Sequence, residues 1–376
     1  MLNRLVNGNK IHLLTGVCSA TLIMAQNAVG AENTVELNVS GEGAYEDNRF
    51  LSQTNKQSVY TFRIAPVVNY IIEDENSQTI ISANGSYLLS SDQAVQIDQF
   101  TYGGDISGNY QYERSNLSLA AGYSRQSIFD TEFLDSGQFL NSATRDRGFG
   151  NFQFETQLNE TWSLRLSDNF QVLDYSTQNL NNYWSNNVGV GLDVDINERT
   201  SLVQNFGYLR YEPSNALIMP LNSYSYLAGI SYAYSENTDI IITGGATHTN
   251  DQFRWSAVLE VSHEQENNEF GFRAAREIEP SGLGGLRQSE SVSLTATHNY
   301  SEGTNMGLNT SWRRSKNLNN IIQFTNEFIG LNPWISFEPI QNVGVRFSYQ
   351  LRRQRIGLTN SWGVSNGFLI SIQFKM

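Results

Sequence analysis

The sequence predicts an all-β chain folded as a transmembrane antiparallel up-and-down β-barrel of about 18 strands, after a cleaved signal peptide. Three observations carry that prediction. Apolar and polar residues alternate with period two from residue 34 to the end, the connections between the alternating segments are short and long by turns, and the tryptophans fall near segment ends.

Residues 1–31 open with basic residues (Arg4, Lys10), continue with an apolar stretch from Ile11 to Met24, and reach the small residues Val29-Gly30-Ala31 before Glu32. That is the layout of a secretory signal peptide. Cys18, the one cysteine, lies inside it behind Val17, where a lipoprotein signal wants a small residue. The chain from Glu32 onward has no cysteine, which removes disulfides and thiolate metal sites. Losing Arg4 and Lys10 leaves 22 basic against 37 acidic residues, a formal charge of −15. An acidic balance of this size argues against nucleic acid as a partner.

Composition narrows the class for residues 32–376. Only 16% of the residues of the full chain are charged, below the roughly 25% of soluble domains. With 18 Tyr and 20 Phe the chain is too aromatic for disorder. No run of about 20 apolar residues follows the signal, so spanning helices are excluded.

The alternation is clearest in three stretches. Trp184, Val188, Val190, Leu192, Val194 and Ile196 hold even positions opposite Ser185, Asn187, Gly189, Gly191, Asp193 and Asp195, with Asn186 the exception on the apolar side. Tyr224, Tyr226, Ala228, Ile230, Tyr232 and Tyr234 repeat the pattern, as do Val343, Val345, Phe347, Tyr349 and Leu351. A strand with one apolar and one polar face produces this period. Eighteen such segments are expected, at 34–46, 58–73, 77–90, 101–113, 116–129, 149–159, 161–175, 184–197, 200–212, 224–235, 238–248, 253–264, 269–278, 288–301, 304–314, 321–337, 342–352 and 364–376.

One set of connections is short and similar, for example Asp74-Asn76, Asn159-Thr161, Asn197-Thr200 and Ser301-Thr304. The other is longer and variable: 47–57, 91–100, 130–148, 176–183, 213–223, 279–287 and 353–363. Alternation alone fits both a β-sandwich, whose apolar faces are buried together, and a membrane barrel, whose apolar face meets lipid. Segments of 10 to 17 residues exceed the usual sandwich strand and suffice to cross a bilayer at a tilt. Trp184, Trp255, Trp312 and Trp362 lie towards the long loops, and Trp162 and Trp334 towards the short turns. Two such levels are expected of the aromatic girdles of a membrane barrel.

Strand parity then nominates the lumen wall: Glu36, Glu42, Arg63, Asp105, Glu155, Arg165, Asp193, Asp195, Arg254, Glu260, Arg273, Glu277, Arg346 and Arg352. A barrel of this strand number encloses an aqueous channel. These charges either select solutes, with Asp193/Asp195 and Arg346/Arg352 as acidic and basic walls, or are simply wetted lining. Asp168 falls on the apolar parity of Trp162, Leu164, Leu166, Phe170 and Val172, and a bulge near Asp168-Asn169 would turn it inward.

No cofactor or catalytic motif stands out. His248, His263 and His298 lie on different expected strands without metal-ligand spacing, and Gly103-Gly104 and Gly284-Gly285 lack the strand-to-helix setting of a phosphate loop. The expectation is a non-enzyme without cofactor or metal.

Across its whole length after the signal, the chain resembles bacterial outer-membrane β-barrels of the porin type. The last segment, with Phe368, Ile370, Ile372 and Phe374 alternating, is similar to their C-terminal recognition strand, although Lys375-Met376 follow the aromatic residue. The resemblance implies an integral outer-membrane location, lipid contact, and the barrel assembly machinery as a partner. In general porins the third long loop narrows the lumen, which implies a constriction built on loop 130–148 with Asp130, Glu132, Asp135, Arg145 and Arg147. Outer-membrane phospholipases place a His two residues before their Ser; Ser365-Asn366-Gly367 has Gly363 there, leaving no base. The turns Asn-Glu-Thr-Trp-Ser-Leu (159–164), Asn-Glu-Arg-Thr-Ser-Leu (197–202) and Glu-Arg-Ser-Asn-Leu (113–117) resemble those of barrels found with exopolysaccharide and exosortase (PEP-CTERM) gene clusters. Three functions follow as expectations: a channel for small solutes, an outlet for a secreted polysaccharide with export components as partners, or a structural or adhesive barrel whose loops bind a partner.

Overall fold

The structure, a computed structural model, describes residues 32–129, 131, 143–249, 252–318, 325–357 and 361–376; the expected signal segment lies outside them. Eighteen strands follow in order: β1 (Glu32–Glu46), β2 (Val59–Asp74), β3 (Ser77–Ser90), β4 (Gln99–Tyr112), β5 (Ser115–Ser127), β6 (Thr144–Gln157), β7 (Trp162–Tyr175), β8 (Tyr183–Asn197), β9 (Thr200–Pro213), β10 (Leu221–Ser235), β11 (Thr238–Thr249), β12 (Gln252–Gln265), β13 (Asn268–Ser281), β14 (Gly285–Ser301), β15 (Thr304–Asn317), β16 (Thr325–Ile340), β17 (Val343–Ile356) and β18 (Gly363–Lys375).

Each strand pairs antiparallel with its sequence neighbours, and β1 pairs with both β2 and β18. The sheet is therefore a closed ring without a free edge, which is how strands satisfy their backbone groups in lipid. The ends of the chain lie together: Leu37 and Met376 exchange backbone hydrogen bonds at 2.9 Å in each direction. The residues after Phe374 thus extend the closing seam.

Exposed apolar side chains identify the outer face. Phe62, Ile64 and Val68 on β2, Val188 and Val190 on β8, Tyr224 and Ile230 on β10, and Phe368 and Ile370 on β18 are all open at the surface. Directly opposed antiparallel partners share a face, so the pairing carries this parity round the ring. Stacked or tilted ring pairs reinforce the outer face across strands, such as Tyr45–Tyr60 at 4.8 Å and Phe206–Tyr226 at 4.6 Å between centroids.

The short turns have a local cause. Asn159 Oδ1 accepts hydrogen bonds from the backbone N–H groups of Thr161 and Trp162, each at 2.9 Å, and Asn197 Oδ1 accepts one from Arg199 at 2.9 Å. An asparagine bonding the backbone two residues on makes its own turn. The recurring Asn-Glu turns are thus accounted for by turn chemistry.

Three boundaries differ from the sequence expectation. β6 begins at Thr144, so Arg145 and Arg147 are strand residues. β13 and β14 lengthen until only 282–284 connects them; the polar run 279–287 read as loop because its Glu279 and Arg287 pair across the ladder, at 2.9 Å. The connection of β12 to β13 is a tight turn at 266–267. Among the described residues, register shifts occur beside the turns, between Asp195/Asn197, Ala233/Ser235, Asn299/Ser301 and Phe337/Ile340. The ladder runs unbroken past Asp168, which opposes Phe152 and Val188. The expected bulge is absent, and Asp168 faces outward.

Candidate functional site

The inner face gathers the charges that strand parity nominated. Glu42 opposes Arg63 across β1 and β2. Asp105 opposes Ser82, Glu155 opposes Arg165, and Glu260 opposes Arg273. Glu36, Asp193, Asp195, Arg254, Glu277, Arg346 and Arg352 share the same inward parity through the ladder.

These charges form local groups rather than continuous walls. Arg165 bonds Asp193 directly. Arg273 Nε donates to Glu260 at 2.8 Å and its Nη2 to Glu277 at 2.9 Å. Asp195 accepts from Ser201 at 2.6 Å. The acidic and basic walls expected from Asp193/Asp195 and Arg346/Arg352 are therefore partly neutralised, because Arg165 holds Asp193 and Glu46 lies 2.6 Å from Arg352. Sequence parity placed these residues on the inner face but could not show which neighbour each one would meet.

One opposition remains across the lumen. β8 and β17 are nine places apart in the eighteen-strand ring, so they face each other across its full diameter. Asp193 and Asp195 lie near the turn that follows β8, and Arg346 near the turn that precedes β17. Acid and base thus confront each other at the short-turn end. The Arg346 guanidinium lies 4.0 Å from the ring centre of Trp334.

Trp334 is a correction. It was expected in the girdle, yet its register partners are Gly307 and Ser348 on the inward parity. Its level near a strand end was legible, but Leu331, Pro333 and Ile335 already occupied the outward parity of β16. Gly307 makes the space, since a Cβ there would stand 2.5 Å from the Trp334 ring. Trp162, Trp184, Trp255 and Trp312 take the outward parity, and Trp362 stands just before β18.

The long-loop end of the lumen is roofed from within. Ile128, Leu173, Tyr175, Leu180, Tyr183, Tyr211, Leu286 and Leu318 form one buried apolar cluster, with Ile128 and Tyr211 wholly inaccessible. Its members come from both sides of the mouth: Ile128 just after β5 with β7 to β9 and their loop, and Leu286 on β14 with Leu318 just after β15. Five steps of the ring separate β9 from β14, so contact between them requires the β13–β14 tip to fold inward. Tyr211 Oη donates to the Ser281 carbonyl at 3.3 Å, and the Asn181 N–H to the Gly282 carbonyl at 2.7 Å. Gly282 permits this approach, since a Cβ would lie 2.8 Å from the Tyr175 hydroxyl.

A second, charged seal lies beside this roof. Glu46 meets Arg49 at 2.7 Å and Arg352 at 2.6 Å, all well buried. Arg49 also donates to Gln96 Oε1 at 3.2 Å. Phe129 lies under both arginines, 3.4 Å from Arg49 and 5.6 Å from Arg352. Leu51 packs on Phe328, and buried Asn48 ties the first loop to the Val364 carbonyl at 2.8 Å. Sequence reading missed Glu46, Arg49, Tyr211 and Leu286; only the hydrophobicity of Ile128-Phe129 at a strand end hinted at an inward fold.

Of the constriction candidates, Asp130, Glu132 and Asp135 lie outside the described residues. Arg145 and Arg147 are lumen-facing residues of β6 and not loop residues, with Arg145 donating to Gln126 at 3.0 Å. The described beginning of the third long loop, Ile128 and Phe129, enters the mouth.

No protein-family model matches this chain, and no curated protein matches it. Among solved structures it is similar to OccK5 (OpdH) of Pseudomonas aeruginosa, with a TM-score of 0.48, 11% identity, and 92% of this chain and 98% of that one covered. OccAB4 of Acinetobacter baumannii aligns at a TM-score of 0.47 and 11% identity over 91% and 98% of the two chains. The siderophore receptor PirA of Pseudomonas aeruginosa gives 0.47 and 11% over 90% and 80%. The barrel assignment itself rests on the closed strand pairing.

Proposed function

We propose that this chain is an outer-membrane channel for small charged solutes, with a mouth narrowed by its first loop, by Ile128 and Phe129, and by the β13–β14 tip. The carrying observation is the inner face, which holds paired and opposed charges across a ring wide enough for water. A purely structural barrel gains nothing from Asp195 and Arg346 set against each other across the diameter. The outer-membrane setting is supported by an apolar outer face, tryptophans near both rims, and alternating short turns and long connections.

Small solutes suit the arrangement better than a polymer, because the roof crosses the mouth with buried apolar contacts that a polysaccharide would have to displace. The polysaccharide reading stood on the Asn-Glu turns, and those follow from asparagine turn chemistry alone. Planar-bilayer recording of the purified barrel tests the proposal. Discrete, ion-selective conductance steps are expected; an electrically silent barrel, even after the roof is opened by substitution, would leave the structural or adhesive reading in its place.

A further inference from the structure

We propose that the outer face of β13–β17 binds an anionic, phosphate-bearing membrane lipid at the long-loop rim. The pairing lines up a row of alternating charge on this face: Arg276 opposes Glu290, Glu290 opposes Arg314, Arg314 opposes Glu327, and Glu327 opposes Arg355. These positions share the outward parity of Val292, Leu294, Leu308 and Leu331, so the row faces the surroundings of the barrel and not its lumen.

The row carries a surplus of positive charge. Both carboxylates are already engaged: Glu290 by Arg276 at 3.1 Å, and Glu327 by Arg355 and by the Trp312 indole N–H at 2.9 Å. Arg314, Lys316 and Arg353 are exposed beside them. Five cations thus stand against two carboxylates on the loop-side half of this face among the described residues, in a chain that is acidic as a whole. Elsewhere on the outer rim there is no such surplus: Arg125 meets Asp146, which also opposes Asp174, and Arg210 meets Glu212.

Tryptophans fix the level of the row. Trp255 lies 3.8 Å from the Arg276 guanidinium, and Trp362 lies 5.4 Å from Arg353 and 5.1 Å from Arg355. Indole rings concentrate where headgroups meet hydrocarbon, which is also where lipid phosphates sit. Arginine forks match phosphate oxygens in pairs.

A second feature on the same strands fits the rest of such a molecule. An apolar hollow of about 940 Å³ is lined chiefly by outward residues, among them Phe270, Met306, Leu308, Ile335, Phe347 and Phe368. Leu308 is six residues from Arg314 on β15, or roughly 20 Å along the strand, a span that an extended acyl chain covers. Phosphate above and acyl chain below identify the ligand class as an anionic phospholipid or phosphorylated glycolipid rather than free phosphate.

The test is native mass spectrometry of the detergent-purified full chain with diphosphorylated lipid A, phosphatidylcholine and inorganic phosphate as separate probes. The wild-type barrel should retain lipid A. The R314Q/K316Q/R353Q variant should lose at least tenfold in bound fraction, and R353Q alone several-fold. Ala296→Trp, which fills the hollow while keeping every charge, should also lose binding, whereas R125Q/R210Q should keep it. Heat-modifiable gel mobility verifies that each variant is folded. Unchanged lipid A binding in the folded triple variant or in R353Q, equal retention of phosphatidylcholine, or equal retention of inorganic phosphate would overturn the proposal. The outcome does not depend on whether the lumen conducts.

Discussion

The Arg49 guanidinium carbon lies 3.4 Å from the ring centre of Phe129, joining the first long loop to the beginning of the third inside the mouth of the barrel. Neither residue is on a strand, and the two are far apart in sequence. Their contact fixes how far the first loop leans inward, because Glu46 holds Arg49 in turn at 2.7 Å.

Phe129→Ala should loosen this seal. A desolvated cation–π contact is worth about 2 kcal/mol, so loop closure should weaken without loss of the barrel. Single-channel recording should show a higher open fraction and larger steps. An unchanged current trace would mean that the ring does not obstruct the path.

Glu46→Gln tests the buried charge cluster. Removing one partner of a buried pair costs about 3–5 kcal/mol, because Arg49 and Arg352 would keep their charge in a site with little water. Limited proteolysis should cut the first loop, 47–58, faster in the variant. Equal cutting rates would show that the side-chain hydrogen bonds of Asn48 hold the loop unaided.

Leu286→Ala and Gly282→Ala attack the roof from two directions. The first leaves a void in the buried cluster, at about 2–5 kcal/mol; the second pushes a methyl group against Tyr175. Both should release the β13–β14 tip and raise conductance. Amide hydrogen exchange at Leu283 and Leu286 should accelerate while the lower strands stay protected.

Arg346→Gln and the double variant D193N/D195N should shift ion selectivity in opposite senses. Losing the arginine should favour cations and losing the acids should favour anions, read as reversal potentials in a salt gradient. Screening over roughly 8–10 Å at physiological to 0.1 M salt predicts that both shifts shrink in concentrated salt.

Asp168 sits at the middle of β7 among Leu166, Phe170 and Val188 on the outward face, where the Asn186 side chain is its hydrogen-bond partner. Asp168→Leu should stabilise the barrel, by less than the roughly 2–4 kcal/mol that a lysine or arginine costs at mid-membrane. Urea unfolding in lipid vesicles reads the change; a loss of stability would show that the hydrogen bond to Asn186 outweighs the cost of the carboxylate.

The strand number, the order of short and long connections, and the inward parity of residues such as Arg63, Asp105 and Arg273 were legible because they depend on local periodicity. A strand turns successive side chains to opposite faces whatever its neighbours are, so each segment announces its two sides. The Asn-Glu turns were legible for the same reason, since Asn159 and Asn197 bond within their own few residues. Asp168 shows the limit: an odd charge on an apolar parity is equally consistent with a bulge and with an exposed carboxylate until the pairing of β6 to β8 is known.

The tertiary structure alone decided what depends on register and on closure. Trp334 finds room on the inward parity only because Gly307 stands beside it in the register. Arg276, Glu290, Arg314, Glu327 and Arg355 become one row only when five strands are set side by side. Asp193 is neutralised by Arg165, and the mouth is roofed because Tyr211 and Leu286 meet across it. Periodicity along one strand carries no information about its offset from the next, and closing a sheet into a ring brings together residues that no local pattern connects.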